Sequence, residues 1–75
     1  MTNVDMIIGD WLTKLRKSRK YSQRQAAYKY GVSKSTIHCW ETGKRALSAY
    51  DLIGYSDMLG GDLAELAEVI RNARI

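Results

Sequence analysis

Apolar residues recur along this chain at steps of three and four, and polar or glycine-containing stretches interrupt the recurrence four times. Val4, Ile8, Trp11, Leu12 and Leu15 share one face of a helix that is expected to start between Thr2 and Asp5 and to end between Lys17 and Arg19. A second helix of barely two turns follows the polar RKSRKY stretch. Ser22 and Gln25 have capping-box spacing, Ala26, Ala27 and Tyr30 form its inward face, and Gly31 is placed to close it in the left-handed conformation. Ser33 caps a third helix, which Gly43 closes. In this helix Ile37 and Trp40 point one way, while Lys34, Ser35, His38, Cys39 and Thr42 point the other. A fourth runs from Ser48 to Gly60-Gly61, with Leu52, Ile53, Tyr55, Met58 and Leu59 supplying apolar surface. Asp62 and Glu65 repeat the capping-box spacing and launch a fifth, whose stripe is Leu63, Leu66, Ala67 and Ile70. The pattern predicts an all-α fold of five helices, with residues 1–75 forming one domain.

Composition agrees with helix over strand: there is no proline and no phenylalanine, and Leu, Ile and Ala dominate the apolar set. A chain this short buries only about 60% of its unfolded surface. Its core must therefore pack well unaided or share surface with a second copy. Cys39 is the only cysteine and His38 the only histidine, so neither an internal disulfide nor a metal site is expected. No apolar run reaches the length of a bilayer, and the acidic opening MTNVDMIIGD lacks the basic start of a signal peptide. A cytoplasmic location without a membrane partner is expected.

Charge sharpens the picture. Between Lys14 and Arg45 stand ten Lys and Arg against Glu41 alone, a balance of +9, while the flanks together carry −5. Such asymmetry suits a partner with a polyanionic backbone, although a basic stretch can also be merely a solvated surface. No Ser, His and Asp are spaced to set a nucleophile beside a base, so no catalytic residue, no cofactor and no enzymatic activity are expected.

Caps and glycines bracket the second and third helices around a tight turn, which is helix-turn-helix grammar. The segment IGDWLTKLRKSRKYSQRQAAYKYGVSKSTIHCWETGKRALS resembles the Xre/Cro-type, lambda-repressor-like helix-turn-helix family of DNA-binding domains. The likeness rests on Leu12, Leu15-Arg16, Ser22-Gln23, Ala27, Gly31-Val32-Ser33, Ser35-Thr36-Ile37, Trp40-Glu41 and Gly43-Lys44-Arg45, and it extends to Leu59-Gly60 and Leu63 to Leu66. Four positions depart from the family pattern. Ala26 and Tyr30 stand where leucine is usual, Leu47 where proline is frequent, and Lys20 where glycine is common before the second helix. Lys20 is expected either to take a left-handed backbone at a cost or to use another turn.

The resemblance implies that the third helix enters the DNA major groove, with Lys34, Ser35, His38 and Cys39 as base readers. Lys34 suits guanine O6 and N7, Ser35 several base edges, and Cys39 a thymine methyl. Gln23, Thr42, Lys44 and Arg45 are the implied phosphate contacts, with Ser22, Arg24 and Thr36 as lesser contributors. Arg16 and Glu41 are implied as a structural ion pair between the first and third helices, and Trp40, inward in phase, as core.

The implied function is a sequence-specific double-stranded DNA-binding transcription regulator. Its expected form is a repressor of phage, plasmid or other mobile-element origin, acting as a homodimer on half-sites roughly 34–36 Å apart. Leu63, Leu66 and Ile70 are one candidate dimer surface, and Met6, Ile7 and Trp11 another; either set could instead complete a thin core. The alternative is an antitoxin-like module whose C-terminal helix engages another protein partner.

Overall fold

A computed structural model describes residues 3–73. The chain folds as α1 (Val4–Ser18), α2 (Gln23–Tyr30), α3 (Lys34–Glu41), α4 (Ala49–Met58) and α5 (Leu63–Ala73), with no strand among the described residues. The earliest expected start of the first helix, Thr2, lies outside the described residues.

Local chemistry explains most of the boundaries. Asn3 Oδ1 accepts the Asp5 N–H at the start of α1, at 2.8 Å. Ser22 and Gln25 form a reciprocal capping box: Ser22 Oγ accepts from the Gln25 N–H at 3.0 Å, and Gln25 Oε1 accepts from the Ser22 N–H at 2.8 Å. Ser33 and Ser48 cap α3 and α4 through their side chains alone, accepting the N–H groups of Thr36 and Asp51. Gly31 closes α2 at φ 84, a conformation without penalty only for glycine.

The fifth helix departs from this pattern. Asp62 Oδ1 accepts from the Ala64 N–H at 2.9 Å, but Glu65 does not reach back to complete a box. Its carboxylate accepts the Trp11 indole N–H at 3.0 Å instead, which ties α5 to α1. A buried indole donor needs an acceptor, and that need outweighs the local cap.

The core draws on every helix: Trp11 and Leu12, Ala26 and Ala27, Ile37 and Trp40, Tyr55 and Leu59, and Leu66. Leu66 is only 3% exposed, and Leu63 and Ile70 pack partly buried against the same cluster. Leu66 and Trp11 thus present almost no surface to a second copy, while Leu63, Ala67 and Ile70 keep part of theirs. Ile53, expected among the apolar contributors of α4, instead faces outward at 48% exposure.

Tyr30 packs against the buried aromatic residues of the core. Its ring stands edge-on to Trp40 at 6.1 Å and to Tyr55 at 5.4 Å, and its hydroxyl donates to Asp51 Oδ1 at 2.9 Å. Burial, with that bond to Asp51, pushes its ionisation up to about 12.

Gly9 sits where α1 meets the last turn of α3. A Cβ there would lie 2.5 Å from the carbonyl oxygens of Trp40 and Glu41, so only a glycine lets the two backbones touch. Helix propensity alone would have Gly9→Ala stabilise α1 by about 1 kcal/mol. The overpacking it creates should reverse the sign and cost about 1–3 kcal/mol, read as a lower urea midpoint.

Candidate nucleic-acid interface

The outward face of α3 follows from its inward one. Ile37 is fully buried and Trp40 is 3% exposed, so the opposite side of an eight-residue helix must meet solvent. Lys34, Ser35 and His38 are exposed there and Cys39 is partly so. Gln23, from the first turn of α2, joins these four around one shallow groove.

Thr42, Lys44 and Arg45 lie beyond the end of α3, all exposed. The Thr42 hydroxyl donates back to the His38 carbonyl at 2.9 Å. The backbone N–H groups of Lys44 and Arg45 both donate to the Cys39 carbonyl, at 3.0 and 3.2 Å, and fold the two cations against the helix end. Lys34, Lys44 and Arg45 have no carboxylate partner among the described residues. Tyr50, in the first turn of α4, is also largely exposed.

Behind this face lies a buried polar network. Arg16 Nε donates to Glu41 Oε2 at 2.6 Å and Nη2 to Glu41 Oε1 at 3.0 Å, a bidentate pair whose side chains are 8% and 4% exposed. The third guanidinium nitrogen, Nη1, donates to the Tyr21 carbonyl at 2.7 Å. Gln23 Nε2 donates to the same Glu41 Oε1 at 3.0 Å. One guanidinium and one carboxylate therefore join α1, the turn before α2, the start of α2 and the end of α3.

The Gln23 link is absent from the residue pattern. Gln23 and Glu41 are eighteen positions apart, and only packing α2 against α3 brings them together. The amide keeps its oxygen and a second N–H for other partners.

Burial would push the Glu41 carboxyl up. Hydrogen bonds from Arg16 and Gln23, with the Arg16 charge, outweigh it and hold the group below the ordinary carboxylate range. The bond to Glu41 likewise raises Arg16, against the opposing effect of burial. Tyr55 lies beneath the network, fully buried, and its hydroxyl has no partner among the described residues. Burial, followed by the Glu41 charge, pushes that hydroxyl up to about 12.

Nothing among the described residues gathers His, Cys, Asp and Glu as a metal site, and no helix there is long and apolar enough to cross a membrane. A helix-turn-helix family model matches residues 12–66, from the middle of α1 into α5. No curated protein and no solved structure matches the chain.

Arg16→Met should cost about 3–5 kcal/mol in chemical unfolding, because it leaves the Glu41 charge buried without its partner. Because the folded pKa of Glu41 is depressed, its contribution is complete above the ordinary value of 4.5 and is lost as pH falls through the folded value. Thermal unfolding of Glu41→Gln should accordingly depend less on pH than wild type below about pH 4.5.

Proposed function

The chain belongs to the helix-turn-helix family, of the Xre and lambda-repressor-like kind, whose members are DNA-binding transcription regulators, and we propose that it is a repressor reading an operator in the major groove. The observation that carries this reading is the convergence of Lys34, Ser35, His38, Cys39 and Gln23 on one groove, backed by the buried Arg16–Glu41 pair.

In this reading α3 lies in the major groove with its first turns against base edges. Lys34 donates to guanine O6 and N7, Ser35 bonds a neighbouring edge, and His38 donates or accepts one turn further on. Cys39, short and largely apolar, meets a thymine methyl. Gln23 on one side, and Thr42, Lys44 and Arg45 on the other, hold phosphates and set the register of the reading helix. The ion pair contributes orientation and touches no DNA.

Occupation of a promoter by such a domain excludes polymerase without catalysis or cofactor, in the cytoplasm of a bacterial cell or of one carrying a phage or plasmid. Two copies would read a palindrome. With Leu66 buried, one surface open to a second copy is the groove between the start of α1 and the end of α5, whose lining includes Met6, Ile7, Val69 and Ala73. Met6 is 57% exposed there and Val69 37%.

Selection from a library of duplex DNA at two salt concentrations tests the reading. An enriched palindrome is the expected result, and binding without sequence preference would overturn it. Lys34→Ala should relax preference at one base position and cost about 1–3 kcal/mol, whereas Arg45→Ala should weaken all sequences alike and reduce the salt slope by about 1.

A further inference from the structure

The turn from α1 into α2 holds a residue in the wrong conformation for its type. Lys20 has φ 62, and no other non-glycine residue among those described has a positive φ. The reason lies in how α1 ends. The Lys20 N–H donates to the Lys17 carbonyl at 2.9 Å and the Tyr21 N–H to the Arg16 carbonyl at 3.3 Å. These two bonds form a Schellman closure, which demands a left-handed residue at this position and is usually met by glycine. A side chain there crowds its own carbonyl. Lys20 recovers nothing by packing, since it is exposed.

The neighbouring cations are already committed. Arg16 holds Glu41 and the Tyr21 carbonyl. Arg19 Nε donates to the Leu59 carbonyl at 2.7 Å and its Nη2 to that of Gly60 at 3.4 Å, closing α4 onto α1. Lys14 pairs with Asp10, and Lys29 lies over the Tyr21 ring at 5.5 Å. Lys17, Lys20 and Arg24 remain exposed, with no carboxylate partner among the described residues. Of these three, only Lys20 occupies a strained position. It precedes Gln23 by three residues, a span of at most about 10 Å.

We propose that Lys20 is a DNA phosphate contact that extends the backbone clamp outward from Gln23, and that its charge is the reason a strained turn keeps a lysine. This rests on the DNA-binding reading above. Strain held by an exposed residue at a binding surface is a known mark of function. The contact carries no sequence information, so it sets affinity and salt dependence alone.

The test uses the full chain and a duplex carrying the enriched site, beside a mixed-sequence duplex. Dissociation constants are measured across a salt series for wild type, Lys20→Gly, Lys20→Gln and Lys20→Arg, with a melting curve for each. Both uncharged variants should bind several-fold more weakly on either duplex, with a salt slope smaller by about 0.9, and Lys20→Arg should restore both. Lys20→Gly should melt no lower than wild type, which separates lost contact from lost fold. Uncharged variants that match wild type in affinity and slope would overturn this proposal and leave DNA binding standing. A wild type without salt-dependent duplex binding would overturn both.

Discussion

A single buried ion pair fixes the geometry on which this molecule depends. α3 has eight residues, too few to be helical alone in water, so neighbours must impose its direction as well as its existence. Ile37 and Trp40 hold it down through apolar contact, which is strong but tolerant of rotation. Glu41 adds a directional constraint, because a bidentate guanidinium allows little rotation about the pair. The Tyr21 carbonyl and Gln23 bind into the same network, so α3, α2 and the turn before α2 are tied together. Desolvating both charges offsets much of their attraction, so the pair's net stabilisation is smaller than its short contacts suggest.

The rest of the fold shows a small core using whatever volume it has. Tyr30 reaches across from α2 to stand against Trp40 and Tyr55. Gly9 removes a side chain so that α1 can rest on the carbonyls ending α3. Glu65 gives up a local cap to satisfy Trp11. In each case a local preference yields to a tertiary contact, because few residues are available to close the core.

The cations divide by chemistry. The two arginines of the α1 end bond carbonyls and a carboxylate, which their planar forks match. Lys17, Lys20, Lys34 and Lys44 stay exposed, as strongly hydrated point charges that cost little to keep in water. The concentration of positive charge read from composition is therefore part scaffold and part surface.

Much was legible in the residues alone. Helical periodicity set out five helices, serine caps and Gly31 marked their ends, and the phase of Ile37 and Trp40 turned Lys34, Ser35, His38 and Cys39 outward, because these are consequences of neighbours three and four residues away. The left-handed turn at Lys20 was one of two conformations the pattern left open, and the end of α1 decided between them. Other features arise only when distant helices meet. The attachment of Gln23 to Glu41, the diversion of Glu65 to Trp11, the need for glycine at position 9 and the absorption of Leu66 into the core join residues far apart in the chain. A periodic pattern states which face of a helix is apolar. It does not state how closely another helix approaches that face, and tertiary packing alone decides that distance.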